Sequence, residues 1–249
     1  VQLVGNSIGM GAHSELLGAL LREHDLMDAI IPDGDHSAPV CHIFVTPDGE
    51  RTMFGRGFAD MEMRGRPTLI PLEKGAWLSI DPNHGAQARR AAELGSEAGM
   101  NLYLLDFVQD DEFVPAGSFW QSSTAWVGER GNEQANIEWV KRWLDKHDCF
   151  AILTDGVDGF VAGSRELGVR HYPAFDIPPA IDSTGAGDMF RAGMLFGLDQ
   201  EWSLPDCLRY AAAAAALNCT GLGAIGGLKE SENILQFLDA NKEAAKAYS

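Results

Sequence analysis

Two spacings of apolar residues alternate along this chain, and each change of spacing marks a new element. "VQLVG" at the start has the apolar run of a buried strand, and "SELLGALLREH" sets Leu16, Leu17, Leu20 and Leu21 at helical spacing. In "VCHIFVTPDGERTMFG" the period drops to two. Val40, His42, Phe44 and Thr46 alternate with Cys41, Ile43 and Val45, and "PDGE" supplies the turn of a part-exposed antiparallel hairpin. From Gly75 strands and helices take turns. "AWLSI" predicts a short buried strand, "GAQARRAAELGSEAG" a helix closed by Gly99, and "NLYLL" another strand. "NIEWVKRWLDKH" predicts an amphipathic helix with Ile137, Val140 and Leu144 on one face, leading into the strand "CFAILTDG".

A second hairpin, "GFVAGSRELGVRHYPAF", breaks this rhythm before three helical segments. The first begins at "DMFRAGMLFGL". Ser203-Leu204-Pro205 starts the next, "DCLRYAAAAAALNC", and Glu230 or Ser231 starts "ENILQFLDANKEAAK". Strands alternating with helices predict a mostly parallel sheet covered on both faces. The expected organisation is one α/β domain over residues 1–249 with a small β excursion near residues 31–60, and no linker or repeat.

Composition narrows the partners. With 36 acidic residues against 19 basic ones, the formal net charge of -17 repels nucleic acid and anionic membrane surfaces. Small anions remain open, because backbone amides bind them locally. Cys41, Cys149, Cys207 and Cys219 form no CxxC pair, and no HExxH spacing occurs, which argues against a disulfide framework, a zinc site or a metalloprotease. No apolar run approaches a membrane span, and the start has neither the basic region nor the cleavage site of a signal peptide. A cytoplasmic protein is expected.

The stretch "IDSTGAGDMF" carries the chemistry. Gly185, Ala186 and Gly187 have little or no side chain and bring backbone N–H groups close to a ligand, just where a helix begins and its dipole favours an anion. Asp188 follows in the first turn. A carboxylate there repels bound phosphate unless its task is to take a proton from an attacking hydroxyl, and phosphoryl transfer needs both parts. The plainer reading, an aspartate capping a helix after a Gly-rich turn, stays open on these residues alone.

The nine residues Asp182–Phe190 resemble the signature of the ribokinase-like, or PfkB-type, carbohydrate kinases: Asp, Ser or Thr, any residue, Gly-Ala-Gly-Asp, any residue, Phe. "LTDGVDGF" is similar to the family segment that ends a strand and lines the ATP site, "GLGA" to the loop over adenine, and "VTPDGERTM" to the lid hairpin of the adenosine-kinase-like and sugar-kinase branch. The resemblance implies a three-layer αβα fold with a mostly parallel central sheet and a small β lid at about 31–60. It implies Asp188 as catalytic base, the amides of Gly185, Ala186, Gly187 and Asp188 as anion hole, and ATP-Mg as phosphoryl donor. Thr154, Gly156, Gly159, Gly223 and Ala224 would hold the nucleotide, and Asp182 and Thr184 a monovalent cation such as K⁺. The implied acceptor is a sugar or nucleoside, and lids that pair between subunits imply a homodimer.

The sequence departs from that pattern in three places. The family opens with a strand carrying a sugar-binding Asp and then a Gly-Gly segment, and this chain starts after both, so a chain lacking that segment is expected. In "GNSIGMGAHS", Gly11 stands where the family has Asp and Ser14 where it has Gly. The magnesium motif Asn-x-x-Glu aligns best with Gly128–Gly131, leaving Glu129 as the acid within reach of a hydrated Mg²⁺ or a plain surface acid. Arg51 in the lid either touches an anionic substrate or ends in solvent, and Asp81-Pro82-Asn83 either faces substrate or simply turns. A nucleotide-binding member without catalysis is the alternative. A short-chain dehydrogenase, which "GNSIGMG" also suggests, lacks its Tyr-x-x-x-Lys pair here, since no tyrosine has a lysine four positions on.

Overall fold

The computed structural model describes residues 1, 3–4, 8–26, 37–47, 51–57, 71–81, 86–109, 113–177 and 180–248, without the side chain of Arg51. It divides into two compact units: Val1–Val45 with Arg51–Pro71, and Thr46–Glu50 with Leu72–Ser249.

In the first unit, helix α1 (Ala12–Glu23) buries Leu21 against Ile8, with Leu26 packed alongside, and Ser14 Oγ donates to the Ile8 carbonyl at 2.8 Å. Strands β1 (Val40–Val45) and β2 (Arg51–Arg56) pair antiparallel, with His42 opposite Phe54 and Phe44 opposite Thr52. The alternation placed the hairpin where it occurs, whereas most of the remainder of 31–60 falls outside the described residues. The strand expected at "VQLVG" is not found at the described Val1, Leu3 and Val4. An apolar run becomes a strand only against a partner ladder, and the one pairing nearby among the described residues is an isolated parallel bridge between Met10 and Ser37.

The second unit is built on a six-stranded sheet in sequential order: β3 (Trp77–Ile80), β4 (Asn101–Leu105), β5 (Ser118–Ser123), β6 (Cys149–Thr154), β7 (Phe160–Ser164) and β8 (Gly168–Tyr172). Neighbours from β3 to β6 run parallel, and β7 and β8 extend the same sheet antiparallel. Period-two side chains therefore feed two cores. Leu102, Leu104, Ala151, Leu153 and Val161 face the layer of α2 (Ala86–Glu97) and α3 (Glu133–Lys146). Tyr103, Phe150, Ile152, Phe160 and Ala162 face α4 (Ala186–Asp199), α5 (Leu204–Asn218) and α6 (Ser231–Ala240). The architecture is thus three-layered αβα.

Small residues set the closest helix contact. A Cβ on Gly193 of α4 would lie 2.7 Å from the Ala211 Cα of α5, so the alanine-rich helix and this glycine allow the two axes to approach. Asn132 and Ser203 cap α3 and α5 by accepting from Ala135 and Asp206 N–H. The last expected helix is divided in two: α6 ends at Ala240, Asn241 leaves helical geometry, and a short α7 (Lys242–Ala245) follows.

Candidate active site

Because β3 to β6 are parallel, the residues just past their carboxyl ends share one edge: Asp81, Asp106, Thr124 and Asp155. Ligands of open α/β sheets bind at that edge. Helix α4 begins there too, since Gln121 Nε2 of β5 donates to the Gly187 carbonyl at 3.0 Å.

The Gly-rich turn before α4 is clamped from one side. Asp182, 1% exposed, accepts from Thr184 N–H at 2.9 Å with one oxygen and from Gly223 N–H at 2.8 Å with the other. Asn218 of α5, fully buried, donates to the Thr184 and Ala224 carbonyls at 3.2 and 2.9 Å. Gly185 caps α4 at φ 80°, and a Cβ there would lie 2.3 Å from the Ala224 carbonyl oxygen. Five of the expected residues, Asp182, Thr184, Gly185, Gly223 and Ala224, therefore meet in one clamp. Two oxygens in it, Thr184 Oγ1 and Asn218 Oδ1, are buried with no hydrogen-bond partner.

The other side of the turn is open. Gly187 has ordinary helical geometry, and the nearest atom to a Cβ built on it is Gln121 Nε2 at 4.0 Å. The Ala186 N–H is spent on the Ser183 carbonyl at 3.2 Å, while the amides of Gly187 and Asp188 have no acceptor among the described residues. The Asp188 side chain is 65% exposed, and Arg191 one turn on reaches its Oδ1 at 3.0 Å. Asp106 lies close enough to feel these charges. Burial raises its carboxyl above the usual range, the neighbouring Asp188 and Asp81 add to that, and the Ser122 hydroxyl bond (2.8 Å) and Arg191 oppose it. Asp106 also has φ 54°, a left-handed geometry that aspartate tolerates.

At the end of β6, Thr154 Oγ1 donates to the Ser122 carbonyl at 3.2 Å, and Gly156 and Gly159 turn at φ 59° and 89°. A Cβ on Gly159 would overlap the Tyr172 carbonyl of β8, whereas Gly156 and Gly223 have open space. Asp155 ties this turn to the loop after β5. It accepts from Thr124 Oγ1 at 2.7 Å, Gly131 N–H at 2.9 Å and Asn136 Nδ2 at 3.1 Å. Asn136 also brackets Glu129, accepting from its N–H and donating to its carbonyl at 2.8 Å each. Glu129 itself is exposed and is tethered to the Thr154–Gly159 side through Asn136 and Asp155. Arg51 belongs to the other unit. Sequence reasoning missed Gln121, Asp106, Asp155, Asn136 and Asn218. For Gln121, Asn136 and Asn218 the available signal was a polar side chain inside a strand or helix that must be buried, and for Asp106 and Asp155 an acid just past the end of a strand.

The chain is similar to known proteins in sequence and in fold. The sequence model of the pfkB family of carbohydrate kinases matches residues 123–231. A protein from Dictyostelium discoideum described as an uncharacterized sugar kinase is 31% identical over 241 aligned residues, covering 82% of this chain and 67% of that protein. The chain belongs to the PfkB family of carbohydrate kinases. Its class is phosphotransferase with an alcohol group as acceptor. Among solved structures, Arabidopsis thaliana ribokinase complexed with ribose and ATP superposes with a TM-score of 0.76 at 17% identity, over 95% of this chain and 81% of that one. Aminoimidazole riboside kinase from Salmonella enterica does so at 0.72 and 18%, over 95% and 85%. At those identities the likeness is one of fold. No helix among the described residues is long and apolar enough to cross a membrane.

Proposed function

We propose that this PfkB-family protein transfers the γ-phosphate of ATP to a hydroxyl of a sugar or nucleoside. Asp188 serves as general base, and the first-turn amides of α4 form the anion hole. The observation that carries the reading is Gly187. Neither its backbone angles nor its neighbours demand a glycine, so a ligand that comes up to the helix end explains the missing side chain. The amides of Gly187 and Asp188, without an acceptor among the described residues, are open to it. Of the relatives in fold, one holds ribose and ATP and another aminoimidazole riboside and an ATP analogue.

In this scheme Arg191 occupies Asp188 Oδ1 and leaves Oδ2 to accept the acceptor hydroxyl. As the hydroxyl oxygen attacks phosphorus, its proton passes to Oδ2 and then to water, to which the exposed carboxylate is open. The bond from phosphorus to the bridging oxygen of ADP breaks, and the amides bear the charge on the transferring group. ATP would lie between the Thr154–Gly159 turn and the Gly223-Ala224 loop. There Val157, Leu222 and Ile225 are exposed at 83%, 72% and 63% and offer an apolar bed for a base.

A monovalent cation fits the clamp chemically, because it takes oxygen ligands and Thr184 Oγ1 and Asn218 Oδ1 are orphaned beside Asp182. Magnesium would be held largely by the phosphates and water, with Glu129 as an outer contact. Among the described residues no group of three or more His, Cys, Asp or Glu could hold a metal alone. Arg51 is assigned to an anionic part of the substrate. The hairpin, with Phe44, Phe54 and Met53 exposed, is assigned to pairing of two copies, which sedimentation at micromolar concentration tests.

ADP release from ATP in a panel of sugars and nucleosides tests the central reading. At least one acceptor should stimulate it well above water. ATP binding with no stimulation by any acceptor would replace the kinase reading with that of a nucleotide-binding protein.

A further inference from the structure

A buried glutamine on a β-strand needs a reason, and Gln121 is 1% exposed at the centre of the sheet. Both ends of its amide are used. Oε1 accepts from the hydroxyl of Tyr103, itself fully buried on β4, at 2.6 Å, and Nε2 donates to the Gly187 carbonyl at 3.0 Å. The Gly187 carbonyl can only accept, so it turns the amide nitrogen toward α4 and leaves the oxygen to take the Tyr103 hydroxyl proton. Burial holds the tyrosine neutral, raising its pKa far above the usual value, so the donor is present at any working pH. The backbone of β5 is fixed as well: Asp106 N–H donates to the Gln121 carbonyl at 2.8 Å, and Ser122 Oγ to Asp106 Oδ1 at 2.8 Å.

The bond ends on an unusual acceptor. A carbonyl in the first turn of a helix already has one partner, the N–H four residues on. Gln121 supplies a second, from the side. The peptide group it holds joins Gly187 to Asp188, and a peptide is planar and trans, so holding the C=O sets the direction of the N–H on the opposite side. That N–H belongs to Asp188 and points out of the helix end, where it has no acceptor among the described residues. Hydrogen bonds in series polarise one another, so a donor on the carbonyl also makes the far N–H a better donor. The same peptide carries the Cα of Asp188.

We propose that Gln121, steadied by Tyr103, is a positioning residue for phosphoryl transfer: through the Gly187 carbonyl it aims and strengthens the Asp188 amide of the anion hole and fixes the root of the Asp188 side chain. This rests on the proposed function above. It adds that the strand behind the helix, and not the turn alone, determines how well the hole meets a phosphoryl group in transfer.

The test compares the affinity of the protein for ADP and magnesium with and without tetrafluoroaluminate, which stands for the transferring group. The parent should bind ADP more tightly with tetrafluoroaluminate. In Gln121→Leu, similar in size but without a donor, that gain should fall by about tenfold to a hundredfold. Affinity for ADP alone should stay within about twofold. In Tyr103→Phe the loss should be several-fold, since the amide keeps its place and loses the hydroxyl that steadies its oxygen. Gln121→Glu separates positioning from packing. Ionised, the new side chain cannot donate and sets a negative charge beside the hole; protonated, it donates again. Its gain relative to the parent at the same pH should be lost at pH 8 and return as pH falls toward 6, whereas a packing role would leave the ratio flat.

A full gain in Gln121→Leu, or equal weakening of ADP with and without tetrafluoroaluminate, would overturn the role of Gln121 and leave the anion hole standing. No gain in the parent would remove the hole itself and the positioning role with it. Should Gln121→Leu not fold, Tyr103→Phe and Gln121→Glu decide by the same ratio.

Discussion

The turn before α4 has one side fastened to the loop after α5 and another lying open beside β5, and two glycines in the same motif show the difference. At Gly185 the left-handed backbone and the Ala224 carbonyl leave no room for a side chain. At Gly187 the backbone is ordinary and the space is free. The fold demands the first glycine; the second it does not, and we assign it to a ligand. The acids divide in the same way. Asp182 is buried with both oxygens satisfied by backbone amides, while Asp188 holds one arginine and is otherwise in water. A motif therefore mixes residues that build the site with residues that work in it, and only packing separates them.

Substitution at the fastened side should have the largest effect on stability. Gly185→Ala combines a positive φ, which costs ~1–2 kcal/mol, with overlap on a backbone oxygen that cannot move far. A loss of about 3 kcal/mol or more in urea unfolding is expected, and a loss under about 1 kcal/mol would break the distinction between the two glycines. Gly187→Val should do the opposite. Stability should hold within about 1 kcal/mol, since valine is no worse than glycine in a helix, while ATP affinity drops on the order of tenfold or more as the side chain fills the approach. Unchanged ATP affinity, read by calorimetry, would place the phosphates elsewhere.

The smallest expected effect is at Asp106. Burial raises its carboxyl pKa in the folded protein, so the folded state holds that proton more tightly than the unfolded chain. The stabilising contribution is then full in acid and is lost as pH rises through the raised value. Asn keeps the acceptor for Ser122 and tolerates the left-handed backbone. Asp106→Asn should therefore melt slightly higher than the parent at neutral pH, by less than about 1 kcal/mol because the group is part-exposed and screened. The difference should disappear in acid. A variant less stable at neutral pH would mean that Asp106 is held by a charge partner and not merely buried.

Most of the frame was legible because its elements obey one periodicity each. The helices around Leu21, Val140 and Leu144 and the strands around Leu102–Leu104 and Ile152 follow from spacing. β5 did not, because "SFWQSS" buries Gln121 and Ser122 where the strand signal expects apolar residues; Gln121 reaches the Gly187 carbonyl and Ser122 the Asp106 carboxyl. The Gly-rich turn was legible as the start of a helix from the small residues before it. The clamp was not, since Asp182, Asn218 and Ala224 meet through the fold over 36 to 42 positions of chain. The hairpin shows the limit from the other side: alternation placed it but could not say that Phe44 and Phe54 stay exposed, at 63% and 59%.

The central claim is that the carboxylate of Asp188 takes a proton, and Asp188→Asn tests it most directly. Asn keeps the size of the side chain and most of its capping ability and removes its basicity. Turnover with the best acceptor of the panel and ATP affinity should be measured on the same preparation, beside its melting temperature. A base predicts turnover lower by ~10²–10⁴-fold, with ATP bound at least as tightly because a negative charge beside the phosphates is gone, and an unchanged melting temperature. Equal turnover by the two proteins would leave Asp188 a helix cap and contradict the account.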